Sequence, residues 1–300
     1  MATFFDTIRD RYRFSTMLMK IIFVNIAVFV AVRLGAIIGF FCGMTDPAPI
    51  LGWLEMPSDP SALLRRPWTV VTYMFTQYDV LHILFNMLWL YCFGVIFLSL
   101  STGRRMLALY VYGGLAGAFF YLLAYNLLPV FHGVDGVLIG SSGAVIAVVT
   151  ATAIMAPDYK MYLLFLGGVS LKWVAVVTIG LDLIGVTGAN AGGHIAHLGG
   201  AVAGAVYAVA LRRGTDITAP FCRVADALAN SCNAARRPRR PSFRPYRRDA
   251  SVRHEKHPRT GSAADQAELD AILDKIKKSG YTSLTPQERK RLFDVSSRIK

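Results

Sequence analysis

Residues 81–100 read LHILFNMLWLYCFGVIFLSL, twenty positions without a single Asp, Glu, Lys or Arg. Wound into an α-helix they rise about 30 Å, the thickness of a bilayer's hydrocarbon core. Two residues do not suit that solvent: His82 and Asn86, four positions apart and therefore on one helix face. The stretch predicts a membrane span with a polar patch near one end, and the rest of the chain repeats both features.

Of the 300 residues 54% are hydrophobic, and the mean hydropathy is +0.43. The apolar residues come in long blocks, which is the composition of a membrane protein. Runs approaching the necessary length of about 20 residues fall near 20–43, 81–100, 106–128, 138–156, 161–186 and 194–211. Helices are the expected form, because open strands leave backbone amides unsatisfied in lipid and the alternating pattern of a barrel is absent from the sequence. The expected fold is thus an all-α polytopic membrane protein, a six-helix bundle followed by a small helical tail module. The first run begins only after Asp6, Arg9, Asp10, Arg11 and Arg13 and reads as a signal anchor, not a cleavable signal peptide. Cys42 and Cys92 in apolar spans, with Cys222 and Cys232 in the tail, suggest ordinary thiols and no disulfide framework.

Charge orients the spans. Residues 1–211 hold 11 Lys and Arg against 9 Asp and Glu, leaving 21 against 10 for residues 212–300, a balance of +2 against +11. Basic residues near span ends favour the cytoplasm. Here they mark the N-terminus (Arg9, Arg11, Arg13, Lys20), Arg104 and Arg105, Lys160, and Arg212 and Arg213. Both termini are therefore expected inside, in a cell membrane of the bacterial inner-membrane kind. Arg65 and Arg66, in the outer loop over 44–80, sit beside Trp53 and Trp68 and suit the headgroup level. The expected organisation is a cytoplasmic N-terminus over 1–19, a six-helix domain over 20–211, a basic, proline-containing disordered linker over 212–262 and a helical hairpin over 263–300.

In this orientation the second, fourth and sixth spans all enter from outside, and each carries polar residues in its first turn. The second has His82 and Asn86, the fourth opens with Gly140-Ser141-Ser142-Gly143, and the sixth with His194-Ile195-Ala196-His197 before Leu198-Gly199-Gly200-Ala201-Val202-Ala203-Gly204. Taken singly, Ser142 is a packing serine, His197 a hydrogen-bonded packing histidine, and His82 with Asn86 a helix–helix hydrogen bond. Taken together they form a shared polar layer, which is costly in lipid and points to a site. A serine hydroxyl becomes a nucleophile when a base takes its proton, and an amide carbonyl under attack needs donors for its developing oxyanion. Ser142 with His197 supplies the first. The first-turn amides of the fourth helix, with His82 and Asn86, supply the second. Gly200 and Gly204 clear a face for close packing of the sixth helix on the fourth.

Three motifs in order, His82-Ile83-Leu84-Phe85-Asn86, Gly140-Ser141-Ser142-Gly143, and Ala196-His197-Leu198-Gly199-Gly200 with Gly204, closely resemble those of the rhomboid intramembrane serine proteases, over roughly residues 20–211. The resemblance implies that Ser142 attacks the scissile carbonyl and that His197 acts as general base and then acid, in a dyad without an acidic third member. It implies an oxyanion hole of His82, Asn86 and the Ser142 amide, and calls for no cofactor and no metal. Arg66-Pro67-Trp68 looks like the end of the family's first-loop entry to the second span. Departures are Gln77, where many relatives have a histidine, and Ile146, where some have an aromatic ring packed on the catalytic histidine. His194 has no role fixed by the pattern. Asp182, near the outer end of the fifth span, reads as a polar cap, with a bond to a loop amide or to His194 as the alternative and no triad assigned, and Lys172 snorkels or marks a break.

The expected function is a serine endopeptidase cutting transmembrane proteins near the outer membrane face; the alternative is a non-catalytic rhomboid-like protein that binds membrane clients. The run Arg236-Arg237-Pro238-Arg239-Arg240-Pro241 with Arg244, Arg247 and Arg248 reads as linker. Tethered to the membrane, its expected partners are anionic lipid headgroups, with no nucleic acid. From Ala263 onward Leu269, Ile272, Leu273 and Ile276 share a helix face, and Ser279-Gly280 breaks it. Thr285-Pro286-Gln287-Glu288 then starts a second helix in which Leu292 and Phe293 face the first. This pair looks like the small helical module that ends some bacterial rhomboids.

Overall fold

The computed structural model of the chain describes residues 15–44, 46, 48–163, 167–236 and 263–298. They fall into two compact units that divide between Arg237 and Pro238. The first unit is built on six helices: α1 (Met17–Phe41), α2 (Val80–Leu100), α3 (Gly103–Leu127), α4 (Ser142–Met155), α5 (Leu171–Gly185) and α6 (Ala191–Arg212). Side-chain oxygens of Thr16, Asp79 and Thr102 cap α1, α2 and α3 by accepting from amides of their first turns, which satisfies donors that have no partner within the helix.

Among the described residues four helices, α1, α2, α3 and α6, are long and apolar enough to cross a membrane, and the chain is a helical membrane protein. The predicted fourth and fifth spans are shorter than the sequence suggests, 14 and 15 residues. The first part of the fifth span read from hydropathy, 161–163 and 167–170 among the described residues, instead belongs to an antiparallel pair, β3 (Lys160–Leu163) and β4 (Gly167–Ser170). The reason for the short α4 is its position. Residues 143–153 are all buried, so the helix is surrounded by protein, and an element buried in protein need not match the bilayer. A smaller antiparallel pair, β1 (Met56–Pro57) with β2 (Val137–Leu138), ties the first loop to the segment that leads into α4.

Arg105 at the start of α3 bonds Asp216 beyond α6 at 2.9 Å, Arg212 donates to the Ile154 carbonyl at the end of α4, and the Lys172 amide at the start of α5 donates to the Pro157 carbonyl. Arg104, Arg105, Lys172 and Arg212 thus share one end of the bundle, hereafter the basic end. The first loop folds on itself: Trp53 and Trp68 stack with ring centroids 5.9 Å apart, and the Trp68 indole donates to the Trp53 carbonyl.

The predicted linker over 212–262 is in part a helix, α7 (Ala219–Arg236). Its N-terminal half is anchored by Phe221 against the Tyr112 ring and by Asp226 bonded to Arg104 at 2.9 Å. The arginine-rich run beyond it lies outside the described residues, as do residues 1–14. Cys42, Cys92 and Cys222 are free thiols.

The second unit is a hairpin of α8 (Ala263–Ser279) and α9 (Pro286–Arg298), turned at Gly280 with φ +77°. Ile272 and Leu284 are its described buried apolar residues, whereas Leu273 is 47% exposed and does not share the inner face as predicted. The side chains of Leu269 and Phe293 lie outside the described set. Thr285 and Glu288 form the predicted cap: the Thr285 amide donates to Glu288 Oε2 at 2.7 Å and the Glu288 amide to Thr285 Oγ1.

Two predictions follow from these contacts. A Cβ on Gly200 would clash with the Gly143 carbonyl oxygen, far inside van der Waals contact, whereas one on Gly180 meets nothing within 4 Å. Gly200→Ala should therefore lower stability in detergent by about 3 kcal/mol, and Gly180→Ala should stay within about 1 kcal/mol of the parent, measured by thermal unfolding. In the hairpin, the Thr285 amide, the Lys275 ammonium and the Thr285 hydroxyl hold Glu288 down to about 2, from an ordinary 4.5. A depressed carboxylate lends stability above its ordinary value that is lost as pH falls toward 2. Carboxyl-detected NMR titration should find the Glu288 midpoint near 2, rising when Lys275→Met removes the ammonium.

Candidate active site

Ser142 is the first residue of α4, at the end of the bundle away from the basic cluster, where first-turn amides have no helical partner. Three glycine contacts set its place. Gly140, at φ +121°, donates its amide to the Tyr73 carbonyl, and a Cβ there would stand 2.7 Å from the His82 ring. A Cβ on Gly143 would stand 3.2 Å from the Ala196 carbonyl oxygen. Gly200 and Gly204 admit the carbonyls of Gly143 and Ala147, so the predicted close approach of α6 to α4 is present. This packing sets His197, on α6, beside the α4 N-terminus.

Ser142, His197, Asn86, Asp182 and Ile146 line one cavity of about 300 Å³, together with Phe85, Trp89 and Thr178. Among the described residues the Ser142 hydroxyl has no hydrogen-bond partner. Its neighbour Ser141 is fully buried, also with its hydroxyl unpaired among them. His82 is not among the residues that line this cavity; its ring lies against Gly140, two residues before Ser142.

Asp182 takes the alternative read from the sequence, a bond to His194, and adds His197 to it. Instead of capping α5, its Oδ1 is 2.7 Å from His197 Nδ1 and 2.8 Å from His194 Nδ1. An ionised carboxylate only accepts, so each imidazole carries its proton on Nδ1 and His197 is left with a free lone pair on Nε2. That is the tautomer a base needs. The two imidazoles stand edge to face at 79°, and the His194 ring rests on the backbone of Gly185, where a Cβ would come within 2.5 Å of it. Ile146 cannot stack on His197 as an aromatic ring would; the carboxylate restrains the imidazole instead. Donor atoms of Asp182, His194 and His197 lie within 4.8 Å of one another, a set able to hold a metal ion, though both Nδ1 atoms are already engaged by the carboxylate.

Asn86 is held by a chain of buried amides that the sequence did not disclose. Its Nδ2 donates to Gln77 Oε1 at 2.7 Å, Gln77 Nε2 donates to Asn25 Oδ1 at 3.2 Å, and Asn25 Nδ2 donates to the Ile21 carbonyl at 2.9 Å and to Tyr110 Oη at 3.1 Å. The Tyr110 hydroxyl in turn donates to the Met74 carbonyl. One amide proton of Asn86 remains uncommitted. The available signal was Asn25, the one amide side chain of α1, set between Lys20 and Arg33 in a span whose other residues are apolar.

A model of the Rhomboid domain matches residues 64–214, half of the chain, and a model of a family of unknown function (DUF6576) matches residues 260–298, the second unit. RHOMBOID-like protein 12, mitochondrial, of Arabidopsis thaliana is 31% identical over 160 residues, 50% of this chain and 48% of that protein. Presenilin-associated rhomboid-like protein A, mitochondrial, of Danio rerio is 32% identical over 136 residues, 44% of this chain and 34% of that protein. The chain thus matches about half or less of the length of these curated relatives. With the match running from the first loop past the end of α6, the chain belongs to the Rhomboid domain family.

Proposed function

We propose that the chain is an intramembrane serine endopeptidase. The observation that carries this reading is the sharing of one cavity by the Ser142 hydroxyl and an imidazole, His197, whose Nδ1 is fixed by Asp182 at 2.7 Å. Such an arrangement leaves Nε2 free to act on a neighbouring hydroxyl.

In this reading Ser142 Oγ bonds to the carbonyl carbon of a substrate peptide while its proton passes to His197 Nε2. The carbonyl oxygen, now negative, accepts from the first-turn amides of α4 and from the free amide proton of Asn86. The C–N bond breaks, His197 gives its proton to the departing amine, and the acyl group stays on Ser142. Water, activated by the same imidazole, then frees the acid. Asp182 stays ionised throughout and stabilises the imidazolium. His82 acts by seating Gly140, with an oxyanion contact of its own requiring the ring to turn. The substrate must present extended backbone to this cavity, which favours transmembrane helices weakened by small or helix-breaking residues near their end. Charge asymmetry favours both chain termini on the side of the basic end.

The rival reading, a rhomboid-like protein that binds membrane clients without cutting them, differs in one measurable respect. A fluorophosphonate probe should label Ser142, and labelling should vanish in Ser142→Ala together with cleavage of a reporter span. An unlabelled Ser142 with the reporter left uncut favours the client binder, whereas cleavage surviving Ser142→Ala overturns the assignment of Ser142 as nucleophile. Asp182→Asn should lower kcat by roughly 10²-fold or more with KM little changed, because the carboxylate supports the imidazolium and not the bound substrate.

A further inference from the structure

A second cavity, of about 690 Å³, lies against a different face of α5. Lys172, Val176, Ile179 and Leu183 line it at helical spacing, whereas Thr178, Leu181 and Asp182 line the site cavity. Across it stand Leu198, Val202 and Arg212 of α6 and the last turn of α4. The cavity runs from Leu183 and Leu198, at the level of Asp182 and His197, to Lys172 and Arg212 at the basic end. The eleven steps from Lys172 to Leu183 rise about 16 Å. Its lining is apolar along the length and cationic at the mouth.

From this distribution we infer that the groove is a binding site for one anionic phospholipid, an acyl chain lying between α5 and α6 and the phosphate meeting Arg212 and Lys172. A single acyl chain fits. The charge at the mouth selects the headgroup. The segments framing it, 157–172 and 212–213, hold Lys160, Lys172, Arg212 and Arg213 against Asp158 alone. Lys172 is bonded to Asp158 at 2.6 Å yet 47% exposed, and Arg212 spends one nitrogen on the Ile154 carbonyl and keeps its other donors. An ammonium and a guanidinium at headgroup depth attract phosphate and gain nothing from a zwitterion's own cation. Binding of this lipid is independent of whether the site cuts peptide bonds. Its consequence for the fold is that the lipid fills the side of α5 that protein leaves open.

The test extracts the full chain from bilayers of equal parts phosphatidylcholine and phosphatidylglycerol with identical acyl chains, and counts retained lipids by native mass spectrometry. One phosphatidylglycerol should be retained, in preference to phosphatidylcholine by roughly fivefold or more. The double variant Lys172→Gln, Arg212→Gln should bring the two lipids to parity. Ala205→Phe, which fills the groove without altering charge, should reduce retention of both, with circular dichroism confirming the fold. Equal retention of the two lipids by the parent chain overturns the inference, as does retention unchanged in the charge variant. Displacement of the lipid by millimolar glycerophosphate would also overturn it, by revealing an anion site that does not use the groove. A polypeptide retained in place of lipid would do the same.

Discussion

The Gly143 carbonyl oxygen occupies the place where a side chain on Gly200 would begin, and most of the first unit depends on that contact. Hydrophobic association does not hold helices together in lipid, so backbones that touch gain their stability from dispersion over the whole interface. Repeated at Gly204 against Ala147 and at Gly113 on the facing surface of α3, the same device clamps α4 between two neighbours. A helix so held cannot rotate or slide. Its N-terminus, with Ser142, therefore has a fixed address relative to His197 on α6.

Around that clamp the polar groups form two separate systems. One is the carboxylate of Asp182 with its two imidazoles, spanning the turn between α5 and α6. The other is the amide chain from Asn86 through Gln77 and Asn25 to Tyr110, spanning α2, the first loop, α1 and α3. A buried amide without a partner costs more than a net hydrogen bond returns, so each member of the chain dictates the orientation of the next. Gln77 suits this place because it donates and accepts at once. The orientation of Asn86 at the cavity is thereby coupled to α1, which touches nothing in the cavity itself.

The long helices were legible in the sequence because a bilayer imposes a length, and α1, α2, α3 and α6 meet it. The ends of α4 and α5 were not: α4 is enclosed by protein, which hydropathy does not distinguish from lipid, and the first part of the fifth apolar run is spent on the β3–β4 pair. Ser142, His197 and Asn86 were legible as chemically costly residues at one depth, and the structure sets all three on one cavity. The partnership of Asp182 with His197 was not, since spacing relates residues within a helix and says little about which ones meet across the Gly185–Asn190 turn. Helix α7 escaped notice because the arginine-rich run after it dominates the composition of the tail, while its anchors, Phe221 and Asp226, find their partners on α3.

The brevity of α5 has a further consequence. It carries exposed Trp173, Val176, Val177, Leu181 and Ile184 outward and so meets lipid directly, yet its 15 residues rise only about 22 Å. Against a hydrocarbon core near 30 Å this is a hydrophobic mismatch of several ångströms, which the surrounding bilayer relieves by thinning at some elastic cost per ångström. The lipid annulus is therefore asymmetric, compressed beside α5 and of ordinary depth beside the 25-residue α1. Membrane thickness becomes a variable to which this protein responds, favouring the thinner of two available bilayers.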